Sequence, residues 1–274
     1  MLYHSRPPAP PLRGFIERLW SCSDAPAHRK ERILPSGTLE LVINCHDDEI
    51  RIGDPADPDR LRRLSGAVVS GTYGRFFEID PLQHAAMIGV HFRPGGASGL
   101  LGIPAGELAD AHLDLDALWG RAAVELRERL CTAATAADRF AVLEQALLSR
   151  LPDRPQGHWA VAAALQSFQQ APEGVRVGNV ARQIGLSQRR LIQVFAAEVG
   201  LRPKLYCRVQ RFGRVREMIG PPEAPDWAAV AAACGYFDQS HMIRDFQEFA
   251  GLSPVEYFRQ SATRVLPNHV PQAG

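Results

Sequence analysis

The chain has 274 residues, of which 46% are hydrophobic and 22% are charged, and its formal net charge at pH 7 is +1. This length predicts two domains with buried cores, and the balanced composition excludes wholesale disorder. The sequence has no apolar run of the roughly 18 residues that a membrane-spanning helix requires. The N-terminus, MLYHSRPPAPPLRGF, lacks the apolar segment of a secretory signal, so we expect a cytoplasmic protein.

Cysteine usage argues against disulfides and zinc fingers. The five cysteines, at positions 22, 45, 131, 207 and 234, form no C-x-x-C pair. An odd number of widely spaced cysteines supports neither a disulfide framework nor a zinc finger. Cys207 and Cys234 fall on apolar helical positions, and we expect them to act as small buried hydrophobic residues.

The first 150 residues have the pattern of a β-rich unit followed by helices. Short apolar or alternating runs bounded by Gly, Pro and Asp predict strands at 39–44, 66–73 and 85–92. Helical periodicity follows at about 121–130 and 137–150. On the first helix, the residues predicted to face solvent are Arg121, Glu125, Glu128 and Arg129, and those predicted to face inward are Val124, Leu126 and Leu130.

Five aromatic residues in this region leave two interpretations open. They either line an apolar ligand pocket or simply fill the core, and core packing is the favoured interpretation. These residues are Trp20, Tyr73, Phe76, Phe77 and Phe92.

Enzyme and metal-site hypotheses find little support in the sequence. The glycine-rich segment 94–102 matches neither a Walker A loop nor the G-x-G-x-x-G or G-x-S-x-G spacing, so we expect a turn into a helix there. Adjacent strand residues point to opposite faces, so the Cys-His-Asp run at 45–47 cannot converge on one ligand. His84 and His91 would likewise point to opposite faces of a strand, so they cannot bind one metal ion together. We therefore expect no catalytic activity, no cofactor and no metal.

Charge is distributed unevenly along the chain. Between 175 and 216 there are ten basic residues and one acidic residue, a local balance of +9. Between 226 and 262 there are two basic and five acidic residues, a balance of −3. A strongly basic segment in a neutral protein is typical of a polyanion binder, although a solvated helix face would carry the same charge.

Pro- and Gly-containing segments divide the chain. Residues 151–157, LPDRPQG, interrupt the helical patterns and are predicted to be a linker. Residues 265–274, VLPNHVPQAG, have two prolines and no periodicity, which predicts a frayed tail.

Residues after 158 contain a repeated helical pattern. In its first copy, Ala181 and Ile184 form a short apolar face, Gly185 supplies a turn and Ser187 is placed as the N-cap of a new helix. That second helix has an inward stripe of Leu191, Val194, Phe195 and Val199 and an opposite stripe of Arg189, Ile192, Gln193 and Ala196. A short helix, a glycine turn and a capped helix constitute a helix-turn-helix.

The second copy follows about fifty residues later. Val230 and Ala233 correspond to the apolar face of the short helix in the first copy. Gly235 corresponds to the glycine turn, and Asp238 corresponds to the N-cap. Met242, Phe246 and Phe249 are the predicted inward residues of its second helix. Each copy ends alike, with Phe, four residues, and then Gly-Leu-x-Pro-x-x-Tyr. Two copies in register are a strong indication of a double helix-turn-helix.

The segment from about 160 to 262 resembles the AraC/XylS-type DNA-binding domain, in which one long helix, here Pro203–Met218, joins two helix-turn-helix units. Residues 32–43 and 92–108 are similar to a sensor-like domain that often precedes this module. The resemblance implies an α+β protein, with a β-rich sensor-like domain at 1–150 and an all-α DNA-binding domain at 158–264. Gly213 is unusual in the joining helix and predicts a kink or close packing there.

Exposed residues at the start of each second helix are the predicted DNA contacts. In the first unit, Arg189 can bond guanine and Gln193 adenine in the major groove, while Arg190 is placed to reach phosphate. Ser187 and Gln188, at the start of the same helix, belong to this predicted site. Ile192 contacts either a thymine methyl group or another helix.

In the second unit, Ser240, His241 and Arg244 share one face, and Gln239 approaches phosphate by analogy with the family. Arg244 is predicted to read a base. It also precedes Glu248 by four residues, so an intrahelical ion pair could hold it away from DNA.

These features predict a sequence-specific transcriptional regulator that binds double-stranded DNA. The basic first unit would supply affinity and the acidic second unit discrimination, on successive duplex turns about 34–36 Å apart. A small-molecule effector or a partner at residues 1–150, RNA polymerase and a second copy of the chain are the other predicted partners. The alternative is an adaptor whose helix-turn-helix units bind DNA only weakly.

Overall fold

The computed structural model describes residues 2–24, 30–54, 57–153, 157–170, 176–220, 225–260 and 268–272. Within them the chain is α+β, as predicted: ten strands and four helices precede a helical C-terminal region, and an eleventh strand follows it to complete the second of two antiparallel sheets. The strands are β1 Leu2–Arg6, β2 Ile16–Ser23, β3 Glu31–Ile33, β4 Glu40–Asn44, β5 Glu49–Asp54, β6 Asp57–Ser65, β7 Ala67–Ser70, β8 Phe77–Ile79, β9 Ala86–Phe92, β10 His112–Asp114 and β11 His269–Pro271.

The first sheet has the order β1-β2-β9-β4-β7-β10. The three predicted strands are its centre: β4 lies between β9 and β7, with Leu41 opposite both Val90 and Val69. These strands are rich in β-branched and aliphatic residues because they are covered on both faces. The second sheet, β11-β3-β8-β5-β6, packs against one face of the first.

The frayed tail predicted at 265–274 is wrong for the described residues 268–272. His269–Pro271 forms strand β11, which pairs antiparallel with β3. Val270 is fully buried in the C-terminal helical core. The edge of β3 offers unpaired backbone groups, and β11 satisfies them while it buries an apolar side chain.

Helices cover the outer face of the first sheet. They are α1 Ser98–Leu101, α2 Leu115–Trp119, α3 Arg121–Thr132 and α4 Ala136–Leu148. The predicted solvent face of α3 is confirmed, but Val124 is 49% exposed, so its predicted inward position is wrong. The inward stripe is Ala123, Leu126 and Leu130, because these positions follow the i, i+3, i+7 spacing and Val124 lies one residue away from it.

The aromatic residues considered for a ligand pocket are distributed among different environments. Phe92 lies in the core between the first sheet and the helices, and Trp20 lies between the two sheets. Tyr73 and Phe77 have ring centroids 4.7 Å apart, and Phe76 packs under the guanidinium of Arg32. Trp20 and Phe77 line a small cavity between the two sheets, but the five residues together do not share one pocket.

The C-terminal region has the helices α5 Trp159–Gln170, α6 Val177–Ile184, α7 Gln188–Val199, α8 Pro203–Met218, α9 Trp227–Ala233, α10 Gln239–Ala250 and α11 Pro254–Arg259. They share one core in which Phe195, Phe212 and Phe246 are fully buried. Leu34 and Val270 also belong to this core, so β11 and the residue that follows β3 pack directly into it. Among the described residues, none of the helices combines the length and apolar character needed to cross a membrane.

Candidate nucleic-acid interface

The first helix-turn-helix consists of α6, a turn at Gly185 and α7. Gly185 has φ +77°, a left-handed conformation that glycine adopts without steric cost and that ends α6. The Ser187 side chain accepts a hydrogen bond from the Arg190 backbone N–H at 3.2 Å, so its predicted N-cap role is confirmed. The predicted inward residues of α7 are buried: Leu191, Val194, Phe195 and Val199.

The candidate DNA-binding residues of α7 all lie at the protein surface. Ile192 is half-buried, whereas the exposed residues are Ser187, Gln188, Arg189, Arg190 and Gln193. The buried stripe holds one side of α7 against the core and thereby leaves these polar side chains accessible. Further along, the 3-10 turn Ala105–Leu108 of the N-terminal half packs against the C-terminal end of α7.

The second helix-turn-helix consists of α9, a turn at Gly235 and α10. The Asp238 carboxylate accepts a hydrogen bond from the His241 backbone N–H at 2.7 Å, which confirms the predicted cap. The predicted inward residues Met242, Phe246 and Phe249 are fully buried. The inward position predicted for Ala233 is wrong: it is exposed, and Cys234 is buried instead, because Cys234 lies one helical turn after Val230.

The candidate residues of α10 are exposed with one exception. Gln239, Ser240 and Arg244 are exposed, whereas His241 is half-buried and contacts the Tyr236 ring edge-on with centroids 5.2 Å apart. Sequence reasoning missed Phe237, which immediately precedes the cap of α10 and is 92% exposed. The sequence signal that could have identified it is a large apolar residue at a position outside the buried stripe of α10.

Glu248 forms its ion pair with Arg208 rather than with Arg244, the alternative partner considered from the sequence. Both Nη atoms of Arg208 donate to the Glu248 carboxylate, at 3.2 and 2.5 Å, and Arg208 Nη2 also donates to Asp245 at 2.7 Å. Burial lowers the pKa of Arg208, but the hydrogen bonds to Glu248 and Asp245 outweigh it and raise this pKa above its ordinary value. Glu248 therefore ties α10 to α8, and Arg244 stays exposed.

The basic segment divides into an exposed and a half-buried group. Six basic residues are exposed: Arg176, Arg182, Arg189, Arg190, Arg202 and Lys204. The four arginines of α8 after Lys204 are half-buried: Arg208, Arg211, Arg214 and Arg216. They pack inside the C-terminal region, since Arg211 lies over the Tyr236 ring and Arg214 donates to the backbone carbonyl of Gln169. A local charge of +9 therefore overstates the charge that faces solvent.

The joining helix α8 spans Pro203–Met218, the range predicted from the sequence. It runs through Gly213 as one helix, and a Cβ added there would meet only the Arg216 guanidinium, at 3.9 Å. The predicted kink or close packing at Gly213 is thus wrong. Gly213 instead lies on the wall of an open cleft.

This cleft, which we call the interdomain cleft, has a volume of about 830 Å³ and separates α8 from the first sheet. Its charged and polar wall residues include Glu17, Arg18, His91, Arg93, Arg214, Arg216 and Glu217. Burial lowers the pKa of Arg216 to about 10 and, with a smaller effect of Arg18, lowers the pKa of His91 to about 3. Four arginines against two glutamates make the cleft electropositive.

Two family models match the chain. Residues 180–260 match a helix-turn-helix domain, and residues 4–114 match a domain of unknown function, DUF6597. No curated protein matches the chain.

Several solved structures are similar to the chain. An AraC-type transcriptional regulator from Chromobacterium violaceum matches 38% of this chain and 92% of its own, with 21% identity and a TM-score of 0.34. The C-terminal domain of AraT, a response regulator from Geobacillus stearothermophilus, matches 41% and 91%, with 23% identity and a TM-score of 0.36. ToxT from Vibrio cholerae with a bound unsaturated fatty acid matches 96% and 97%, with 8% identity and a TM-score of 0.48.

The repeated geometry and the domain match define the class of this protein: it is a DNA-binding transcriptional regulator. Its C-terminal region contains an AraC-type helix-turn-helix domain, which confirms the resemblance seen in the sequence, and a DUF6597 domain precedes it.

Proposed function

We propose that the chain is a cytoplasmic, sequence-specific regulator that reads two major-groove segments with α7 and α10. The observation that carries this proposal is the repeated construction of two capped helices. Each has its apolar stripe in a shared core and polar side chains exposed near its N-terminus. A helix presented in this way fits the major groove, where base edges carry a distinct donor and acceptor pattern.

In α7 we assign base contacts to Arg189 and Gln193. Arginine bonds guanine O6 and N7 in a bidentate manner, and glutamine bonds adenine N6 and N7. Ser187, Gln188 and Arg190 lie at the helix start, where the positive end of the helix dipole favours phosphate. The exposure of all five side chains supports this assignment.

In α10 we assign base contacts to Ser240, His241 and Arg244, and a phosphate contact to Gln239. Arg244 is exposed, and Glu248 is engaged by Arg208, which favours Arg244 as a base reader. Phe237 joins this site as an apolar contact to a thymine methyl group, because a 92% exposed phenylalanine gains free energy on burial.

DNA binding is tested by fluorescence anisotropy with the DNA upstream of the gene and with random DNA, over a salt series. We expect a specificity ratio of roughly 10³ or more, with affinity falling steeply as salt rises. Replacing the exposed base reader in each unit, R189A and R244A, lowers this ratio, whereas R121A on α3 is the matched control. Weak and equal binding to both DNAs would instead support the adaptor alternative.

We further propose that a small organic anion in the interdomain cleft modulates DNA binding. The excess of arginines on its walls supports an anion, and its position between the first sheet and α8 would let a ligand contact both halves of the chain. On this view the domains are 1–150 and 158–264, joined by a linker at 151–157, with β11 returning to the N-terminal sheet. RNA polymerase and a second copy of the chain remain proposed partners, with no contact assigned to them.

The cleft proposal is tested by thermal shift with a panel of short and long aliphatic carboxylates. We expect at least one of them to raise the Tm of the wild type and of G213A, because a methyl group leaves the cleft open. In G213L the longer side chain projects into the cleft, and the same carboxylate should then raise the Tm less. An equal shift in G213L would place the ligand elsewhere and contradict the proposal.

A further inference from the structure

Three side chains that commonly ligate metals converge from distant parts of the chain. Glu31 lies on β3, His84 on the 3-10 turn Pro81–Ala85 and His269 on β11. One ligand atom from each lies within 4.8 Å of the other two. The separation in sequence explains why spacing alone did not indicate this cluster.

The distances fit a metal site. His269 Nδ1 is 2.9 Å from Glu31 Oε2, and His84 Nδ1 is 3.6 Å from the same oxygen. Zinc bonds to histidine nitrogen and carboxylate oxygen are about 2.0–2.1 Å long, so neighbouring ligand atoms in a tetrahedral site are about 3.3 Å apart. The Glu31–His269 and Glu31–His84 separations lie within a few tenths of an ångström of this value, and the two histidines place ligand nitrogens within 4.8 Å of each other.

Burial favours a cation at this position. Glu31 is 2% exposed and His84 is 4% exposed, so both are almost completely removed from water. A divalent ion bound to this carboxylate would lie in a low-dielectric environment, where the attraction between opposite charges is strong.

The cluster also has room for a further ligand. His84 and His269 line a cavity of about 50 Å³ between the two sheets. A water molecule needs about 10–15 Å³ of such space, so the cavity has room for a water that would complete four-coordination of a bound ion. The remaining walls are mostly apolar and include Ile33 and Ile79.

Neighbouring contacts hold the ligands in place. Gln83 accepts a hydrogen bond from the Arg51 backbone N–H at 2.7 Å and donates to the Arg51 carbonyl at 3.1 Å, which anchors the turn that carries His84. The β11–β3 pairing places His269 opposite Ile33, beside Glu31. Metal sites depend on such supporting contacts for ligand orientation.

We propose that Glu31, His84 and His269 bind a divalent transition-metal ion that fastens the C-terminal strand to the N-terminal sheet. Two imidazoles and one carboxylate suit zinc, and also cobalt, nickel or iron. This differs from the sequence-based expectation of no metal, which compared His84 only with His91. The proposal is independent of DNA binding and of the effector.

The test uses full-length protein stripped with a chelator and then titrated with Zn²⁺ by calorimetry. We expect one equivalent per chain, a raised Tm, and the visible absorption bands of a four-coordinate site when Co²⁺ replaces Zn²⁺. H84N and H269N should each weaken binding at least tenfold and change the Co²⁺ spectrum. The matched control is H4N, which removes an exposed histidine on β1.

Two results would overturn the proposal. One is the absence of stoichiometric Zn²⁺ binding by wild-type protein that is folded by circular dichroism. The other is binding that H269N leaves unchanged, since the ion would then sit on surface side chains. If H84N fails to fold, metal binding by H269N provides the test, because His269 lies on the short terminal strand.

Discussion

At the scale of single residues, Arg189 and Arg190 are adjacent and exposed, but we assign them different targets. Arg189→Ala should cost about 1–3 kcal/mol on the cognate sequence and relax the preference at one base position. Arg190→Ala should weaken binding to all sequences and reduce the salt slope by about one. Anisotropy on cognate and single-base-changed duplexes separates the two effects. Identical profiles for both variants would contradict the assignment.

His112 is a buried histidine whose protonation should limit stability in acid. Burial, with a smaller effect of Arg62, lowers its pKa to about 3, and its ring packs against Tyr73 and Phe77. The unfolded chain binds this proton near pH 6.5, so stability is full above that pH and falls as the pH drops toward 3. His112→Phe keeps the ring packing and removes the titration.

The difference in unfolding free energy between His112→Phe and the wild type should therefore shift by about 1.4 kcal/mol in favour of the variant between pH 7.5 and 5.5. Urea denaturation at the two pH values measures this shift. Glu40, whose pKa burial raises to about 8, contributes to the pH dependence with the opposite sign. Because Glu40 is present in both proteins, its contribution cancels in the difference between them. A difference that does not change with pH would show that His112 takes up its proton in the folded protein over the same pH range as in the unfolded chain.

The exposure of most candidate DNA-binding residues could be predicted from sequence because a helix in a fixed register has one buried and one exposed side. The exceptions have a shared physical cause. His241 is half-buried by Tyr236, and Glu248 is engaged by Arg208. Both contacts join different elements, which helical periodicity within one element does not contain.

At the scale of elements, we expect the same loss of stability when either helix N-cap is removed. Ser187→Ala and Asp238→Ala should each lower the free energy of unfolding by about 1 kcal/mol, because each leaves a helix N–H without its acceptor. Asp238→Asn retains an acceptor and serves as the control. Thermal denaturation gives the stability, and DNA affinity should fall beyond the loss explained by unfolding, since the capped ends present the candidate contacts.

Strand prediction succeeded only where strands are buried on both faces. β4, β7 and β9 are apolar runs at the centre of the first sheet. The strands β1 and β6 read LYHSR and DPDRLRRLS and lie at sheet edges. Their side chains do not need to be apolar on both faces, so their sequences resemble loops. Edge position thus accounts for β1 and β6, whereas the unpredicted strands β2, β3, β5 and β8 lie inside their sheets.

At the scale of the whole molecule, the N-terminal half packs closely against α7. A Cβ on Gly106 would lie 2.8 Å from the Ala196 carbonyl oxygen, a backbone atom that cannot move independently. Gly106→Ala should therefore loosen the contact between the 3-10 turn and α7 and expose backbone amides there to solvent. Gly14→Ala is the control, because an added methyl group meets nothing within 4 Å.

Hydrogen exchange read out by mass spectrometry checks this expectation. Faster exchange in α7 and in 105–108 of Gly106→Ala, with unchanged exchange in α10, is the expected pattern. Exchange equal to that of Gly14→Ala would mean that the contact does not couple the two halves.

Local sequence determined the two helix-turn-helix units, because caps, glycine turns and i, i+3, i+4 spacing act within a few residues of one another. The tertiary structure decided which arginines of α8 are half-buried, how the aromatic residues are distributed and where the C-terminal strand pairs. It also brought Glu31 and His269 together across 238 residues of chain. Such contacts depend on how the sheets and helices pack, and no short-range pattern records that packing.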